Sequence, residues 1–120
     1  MIKSREATVA QEKDLSRLAT RLVNTLDDLK ALDIVCIPVT QLTTIADIMI
    51  VCTAITARHA MALTNNIIIV LKKAGINVRS EGENQGEWVL IDGGDIIVHI
   101  MQAKTRAFYD LEGLWQHDEK

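Results

Sequence analysis

Apolar residues recur at three- and four-residue steps in three parts of the chain. These parts are residues 9–30, 57–74 and 105–116, and the first carries leucines at this spacing along most of its length. Such spacing places the apolar side chains on one face of an α-helix. The pattern therefore predicts three amphipathic helices, the first with a capping box that begins at Thr8.

Five shorter segments are rich in β-branched residues and have the length of strands. Pro38 has no backbone N–H to contribute to a ladder, so we expect the first strand at a sheet edge. The last two strands flank Asp92-Gly93-Gly94-Asp95, which predicts a tight hairpin because glycines adopt the positive φ angles of such turns. The order α-β-β-α-β-β-β-α favours an α/β fold with one mixed sheet flanked by helices. The predicted strands are residues 34–39, 48–53, 76–79, 87–91 and 96–101.

Size and composition fit one globular domain. The chain has 120 residues, of which 48% are apolar and 24% charged, and no Pro/Gly/Ser-rich linker divides it. We expect the domain at residues 9–116, a polar extension at residues 1–8 and a polar tail at residues 117–120. The polar start is unlike a signal peptide, and no stretch is apolar enough to span a membrane. We therefore expect a cytoplasmic protein without membrane contact, in which Cys36 and Cys52 are buried free thiols.

The distribution of charge is uneven. A net charge of −3 argues against a protein that binds nucleic acid by neutralising phosphates. Between Arg79 and Lys104 there is no basic residue, yet acidic residues recur. They are either solvated carboxylates of turns and hairpins or a docking surface for a basic partner. These acidic residues are Glu81, Glu83, Glu87, Asp92 and Asp95.

A catalytic interpretation would use Asp92, Asp95 and His99, because carboxylates can hold a divalent metal and a histidine can transfer a proton. Turn chemistry alone also favours aspartates beside two glycines. His99 alternates with Val98 and Ile100, so we expect it on the other, surface side of its strand. The sequence has no zinc-ligand spacing, phosphate-binding glycine loop or nucleophile elbow. We therefore predict no catalytic, cofactor or metal site.

The aromatic residues all lie in the last third of the chain. Phe108 and Trp115 share the helical face that we expect to meet the core, whereas Tyr109 lies about 100° from Phe108 around the helix. Tyr109 is therefore the better candidate for exposure, and Arg106 shares its side of the helix. Trp88 is either a core residue or an interface anchor.

An ordered series of motifs spans the chain. It consists of Lys30-Ala31-Leu32-Asp33-Ile34, Leu42-Thr43-Thr44-Ile45-Ala46-Asp47, Cys52-Thr53, Arg58-His59, Glu81-Gly82-Glu83, residues 86–92 and 94–101, Arg106, Tyr109, Leu111-Glu112 and Leu114-Trp115. This series resembles the ribosomal silencing factor (RsfS, Iojap) family over about residues 15–116. The resemblance implies a protein, not an enzyme, that binds the large ribosomal subunit through ribosomal protein L-fourteen and blocks joining of the small subunit when nutrients are scarce. It also implies a nucleotidyltransferase-like mixed sheet and, as in several members, a homodimer.

Positions that match the family motifs imply a surface that binds the ribosomal protein. Catalytic nucleotidyltransferases need a Gly-Ser turn and an Asp-x-Asp pair, and this sequence has neither. Two rival hypotheses remain: a nucleotidyltransferase-like enzyme that uses Asp92, Asp95 and His99, and a dimeric scaffold that uses the same strands for self-association. The residues assigned to the partner surface are Trp88, Asp92, Asp95, His99, Arg106 and Tyr109, with Glu83 as a weaker member.

Overall fold

The computed structural model of the protein describes residues 9–40, 46–111 and 113, which contain three helices and five strands. Their order is the predicted one. The cap predicted at Thr8, the extension at residues 1–8 and the tail at residues 117–120 lie outside the described residues. The elements are α1 (Val9–Asp28), β1 (Leu32–Pro38), β2 (Ile48–Ala54), α2 (Ala57–Lys73), β3 (Arg79–Glu81), β4 (Trp88–Asp92), β5 (Ile96–Gln102) and α3 (Ala103–Tyr109).

The strands form one sheet in the order β1-β2-β5-β4-β3. β2 and β5 run parallel, with Ile48 opposite Ile96, and the other three pairs are antiparallel. β1 is an edge strand, as Pro38 predicts. The α/β fold with one mixed sheet flanked by helices is confirmed. None of the helices in the described part of the chain combines the length and apolar character that a membrane span requires.

One face of the sheet, the helix-covered face, packs against α1 and α2. The apolar stripes predicted for both helices are buried there, against the alternate residues of β2, β4 and β5. Complete burial of one such side chain stabilises the fold by roughly 1.5–3 kcal/mol. Fully buried members of this core are Leu22, Leu26, Ile50, Leu63, Ile67, Leu71, Ile91 and Ile100.

The opposite face of the sheet, the second face, has a smaller apolar cluster. Buried side chains from β1, β2 and β5 form it, and Leu111 and Trp88 pack against its rim. α3 contacts β5 and β2 on this side. A helix of seven residues is too short to cover a sheet of five strands, so α3 covers only part of the second face. The buried members are Ile37, Val39, Met49, Val51 and Met101.

His59, from the Arg58-His59 motif, fixes the start of α2 to the end of α1. Its Nδ1 accepts a hydrogen bond from the backbone N–H of Ile55 (3.0 Å), so Nε2 carries the proton. Nε2 donates to the backbone oxygen of Leu29 at 2.8 Å. Thr56 caps α2 by accepting from the His59 backbone N–H. This histidine of the motif therefore has a structural role.

Two predicted details near β3 and the hairpin differ from the structure. β3 comprises Arg79–Glu81 and not residues 76–79, because Ile76 and Val78 pack against the core before strand pairing begins. In the hairpin between β4 and β5, Gly94 has a positive φ of 84°, whereas Gly93 does not. Only one of the two glycines therefore supplies the left-handed conformation.

The prediction that both cysteines are buried is wrong for Cys36. Cys52 lies in β2, which has a neighbouring strand on each side, and burial raises the pKa of its thiol to about 12. Cys36 lies in β1, which has a neighbouring strand on one side only, and its side chain is exposed. Both are free thiols, as expected.

Candidate functional site

Four of the seven residues assigned to the partner surface come together on the second face of the sheet: Trp88, His99, Arg106 and Tyr109. Along β4, Val89 and Ile91 point to the helix-covered core, so Trp88, Leu90 and Asp92 point to the second face. On the neighbouring strand β5, His99 pairs with Leu90. The alternation predicted from the sequence thus brings Trp88 and His99 to the same side.

An aromatic cluster, defined as Trp88, His99, Phe108 and Tyr109, rises from this face. Trp88 Nε1 donates a hydrogen bond of 3.0 Å to His99 Nδ1. The rings of Trp88 and Tyr109 lie 4.7 Å apart between centroids, and Phe108 meets Tyr109 edge-on at 4.9 Å. Exposure increases along this series, from 6% for His99 to 53% for Tyr109 and 81% for Phe108. The cluster is therefore anchored in the sheet and ends in solvent.

His99 is not the surface histidine that the sequence analysis predicts. Its side chain points away from Val98 and Ile100, as expected, but it is almost completely buried on the second face. Burial lowers the pKa of His99 to about 4, so the ring is neutral at pH 7. Because the Trp88 indole N–H can only donate, Nδ1 must be the acceptor and the neutral ring carries its proton on Nε2.

Arg106 ties α3 to the sheet and is only partly exposed. Its Nη1 donates to the backbone oxygen of Asp33 at 2.7 Å and to Thr53 Oγ1 at 2.9 Å. Asp33 has a positive φ of 49° at an irregularity of β1, and Thr53 is buried in β2. One guanidinium therefore links α3 to two strands, which holds the neighbouring Tyr109 in place.

Phe108 is a candidate functional residue that the sequence analysis misses. The sequence places it on the core side of a helix over residues 105–116, but Asp110 adopts a left-handed conformation (φ 47°, ψ 51°) and ends α3 at Tyr109. Leu111, beyond this break, packs against the second-face cluster in place of Phe108. Tyr109 is exposed, as predicted. The side chain of Trp115 lies outside the described residues.

The acidic turn, residues 92–95, lies at the other end of β4. Four residues separate Asp92 from Trp88, which corresponds to about 13 Å along a strand. Asp92 Oδ1 accepts from the Gly94 backbone N–H at 2.8 Å, and the backbone oxygen of Asp95 accepts from Asp47 and Ile48. The bond to Gly94 fits the structural role that turn chemistry predicts for Asp92, whereas Asp95 contributes its backbone oxygen to the contact with Asp47 and Ile48.

Glu83 lies in the loop between β3 and β4, where its carboxylate accepts a hydrogen bond from the Ser80 hydroxyl. Gly82 lets this loop approach the start of β4 closely. A Cβ at Gly82 would lie 2.0 Å from the backbone oxygen of Trp88, and its φ is +94°. The loop with Glu83 is therefore held next to Trp88, whereas the acidic turn lies at the far end of β4.

Asp92 ends β4, Asp95 immediately precedes β5 and His99 lies within β5. His99 is neutral and its Nδ1 is already hydrogen-bonded, while Asp92 serves the turn. Within residues 9–40, 46–111 and 113, no three or more His, Cys, Asp or Glu side chains form a group that could hold a metal ion. The arrangement can instead offer a rigid aromatic surface to another macromolecule.

Comparison with known proteins identifies the family. The model of the family described as "Ribosomal silencing factor during starvation" (RsfS) matches residues 12–120. A ribosomal silencing factor RsfS from Chromobacterium violaceum is 41% identical over 104 residues, which is 86% of this chain and 83% of that protein. The RsfS protein from Haemophilus influenzae is 44% identical over 95 residues, which is 78% of this chain and 93% of that protein.

A solved structure agrees. The crystal structure of a protein from Chromobacterium violaceum resembles this fold with a TM-score of 0.81 at 38% sequence identity, covering 84% of this chain and 85% of that one. The resemblance seen in the sequence motifs is therefore confirmed. The chain belongs to the ribosomal silencing factor (RsfS) family, a family of regulators of translation.

Proposed function

We propose that this protein binds the large ribosomal subunit through ribosomal protein L-fourteen and thereby prevents the small subunit from joining. It represses translation under nutrient limitation and acts in the cytoplasm. The proposed action is steric: one bound protein occupies the space that the other subunit needs. No bond is made or broken, and no cofactor takes part.

The observation that carries this proposal is the exposed end of the aromatic cluster. Large aromatic side chains bury much apolar area when they dock, and Trp and Tyr are frequent hot spots of protein interfaces. Tyr109 and Phe108 are mostly exposed, yet Tyr109 packs against Trp88 and Phe108 packs edge-on against Tyr109, which orders both rings before any partner arrives. A pre-ordered surface loses less conformational entropy on binding than a flexible one.

The charge of the surrounding surface fits a basic ribosomal protein. The chain has no Lys or Arg from residue 80 to residue 103, a stretch that includes the acidic turn and Glu83. Opposite charge on two partners speeds their encounter and selects among partners more than it adds affinity. We expect the acidic residues to set the rate and salt dependence of binding, and the aromatic cluster to set its lifetime.

Sedimentation with purified ribosomal subunits tests the proposal. The protein should sediment with isolated large subunits, and its presence should reduce the amount of joined ribosomes when small subunits are added. Higher salt should weaken binding, because it screens exposed charges. Binding to neither subunit at low salt, or binding that leaves subunit joining unchanged, would contradict the proposal.

Variants with matched controls localise the contact. Trp88→Ala should weaken binding to large subunits by at least about thirtyfold if Trp88 is a hot spot. Ile69→Ala is the control, because Ile69 is an exposed apolar residue of α2, which lies on the other side of the sheet.

Charge reversal is tested separately. Asp92→Lys combined with Asp95→Lys should slow association, whereas Asp27→Lys combined with Asp28→Lys makes the same change of net charge at exposed positions of α1. Equal losses in both double variants would mean that overall charge matters and the acidic turn does not. Light scattering across a dilution series should accompany these assays, because a homodimer that used the second face would compete with ribosome binding.

A further inference from the structure

His99 offers almost no surface to a partner, yet it holds the base of the aromatic cluster. Its Nδ1 accepts the only hydrogen bond that the Trp88 indole can donate, at 3.0 Å. We propose that His99 is a positioning residue, which fixes the ring of Trp88 and, through it, Tyr109 in the orientation that docks on the ribosomal partner. This inference rests on the proposed function of the surface.

The acceptor lies on a strand that is hydrogen-bonded to a neighbour on each side. β5 lies in the middle of the sheet, and His99 pairs with Val51 of β2 on one side and with Leu90 of β4 on the other. Trp88, by contrast, begins β4 and is half-buried, so part of the residue is exposed. A hydrogen bond from a half-buried ring to a central strand restricts both side-chain torsions of that ring.

Tyr109 depends on this restriction. It is the last residue of the seven-residue helix α3, and more than half of its surface is exposed. Arg106 holds the backbone of α3 to the sheet, whereas the tyrosine ring itself rests on Trp88, with 4.7 Å between ring centroids. If the indole turned away, Tyr109 and Phe108 would lose the surface that orders them.

The alternative is that His99 touches the partner directly. Its exposure of 6% leaves little area for contact. A direct contact and a positioning role also differ in a measurable way. The effect of a positioning residue disappears when the residue that it positions is absent, whereas two independent contacts add.

Three variants test the inference in the full-length protein. His99→Leu puts an apolar side chain of similar size at this position and so removes the hydrogen-bond acceptor of the Trp88 indole. His99→Asn retains one, because the asparagine amide oxygen is bonded to Cγ, as Nδ1 is in histidine. Met101→Leu is the control, since it changes a buried residue on the same face of the same strand without a hydrogen bond.

The first measurement is the indole N–H signal of Trp88 in a two-dimensional ¹H–¹⁵N spectrum. The chain has two tryptophans, so Trp88→Phe identifies the signal by its loss. His99→Leu should shift this signal and speed its hydrogen exchange with solvent, while His99→Asn and Met101→Leu should retain slow exchange.

The second measurement is binding to isolated large subunits. His99→Leu should weaken binding about threefold to tenfold, which corresponds to the net value of one hydrogen bond. His99→Asn should recover wild-type binding to within about twofold, which is below half a kcal/mol. His99→Leu should have no further effect when it is combined with Trp88→Ala.

Distinct outcomes separate the two proposals. Normal binding by Trp88→Ala would overturn the partner surface itself. Weak binding by Trp88→Ala together with normal binding by His99→Leu would overturn only the positioning role, as would additive losses or an unchanged indole signal. If His99→Leu does not fold, His99→Gln replaces it, because its amide is bonded one carbon further from the backbone and lies away from the Nδ1 position.

Discussion

The two faces of the sheet differ in what covers them and in what they contain. The helix-covered face is closed by α1 and α2, and its buried side chains are almost all apolar. The second face has a smaller apolar cluster, a short helix and a buried histidine. Its polar groups make hydrogen bonds that join five elements: His99 of β5 accepts from Trp88 of β4, and Arg106 of α3 donates to Thr53 of β2 and to the β1 backbone. The first face provides stability, whereas the second provides an ordered surface.

This difference shows why polar residues are placed where apolar ones would pack equally well. A buried polar group stabilises little beyond the hydrogen bond it makes, but it accepts only a few orientations of its partner. On the second face, His99 orients the ring of Trp88, and Thr53 with the Asp33 carbonyl orients the Arg106 side chain of α3. If the comparison is correct, substitutions on the two faces should separate stability from binding.

The largest effect should come from the helix-covered face. Leu63→Ala removes a fully buried side chain of α2 and should lower the free energy of unfolding by about 2–5 kcal/mol, because the cavity cannot collapse fully. Urea unfolding followed by circular dichroism measures this loss. Phe108→Ala, which removes a larger side chain from the second face, should change the same quantity by less than about 0.5 kcal/mol. Similar losses in both variants would contradict the comparison.

The pH dependence of stability should reveal His99. Its pKa is about 4 in the folded protein and 6.5 in the unfolded chain, so below pH 6.5 the unfolded chain binds the proton first. The contribution of the neutral, buried His99 to the free energy of unfolding is fully present above pH 6.5. It is lost progressively as the pH falls to 4, for a total of about 3 kcal/mol.

His99→Asn should lack this loss while retaining the titration of every carboxylate. The measurement is therefore the difference between the unfolding free energies of wild type and variant, at pH values from 4 to 7.5. Parallel curves would mean that His99 titrates in the folded protein as it does in the unfolded chain, and that the second face does not bury it.

The exposed rings should contribute strongly to binding and little to stability. Phe108→Ala and Tyr109→Ala should each weaken binding to large subunits by about fivefold or more, since aromatic anchors of this kind contribute more than about 1 kcal/mol. Their unfolding curves should overlap with that of the wild type. A titration of large subunits with labelled protein measures the loss, and Ile69→Ala should bind normally. If either variant binds normally, the ring that it lacks is not part of the partner surface.

Much of the fold is predictable from the sequence because it depends on local rules. Apolar periodicity locates α1 and α2, Pro38 indicates the edge strand, and the glycines between Asp92 and Asp95 indicate the hairpin. Strand alternation also gives the correct side for His99. Each of these inferences uses residues close together in the chain.

The candidate site is less predictable because it depends on contacts between distant segments. Alternation gives the direction of His99 but not the cover over it, which comes from other strands and α3. The left-handed Asp110 resets the helical phase, so periodicity assigns Phe108 to the wrong side. Arg106 finds an acceptor 73 residues away, at the irregularity of β1 around Asp33. No local pattern indicates that contact.

The smallest expected effect tests this long-range contact. Thr53→Val keeps the shape of a buried residue of β2 but removes the hydroxyl that accepts from Arg106 Nη1. The free energy of unfolding should fall by about 1 kcal/mol, the usual net value of one hydrogen bond, since Arg106 keeps its bond to Asp33. The free energy of local opening of α3, measured by hydrogen exchange of its amides, should fall by a similar amount. Exchange in α2 should change only as much as the global stability does. If α3 exchanges as slowly in Thr53→Val as in the wild type, the threonine hydroxyl contributes nothing to holding the helix.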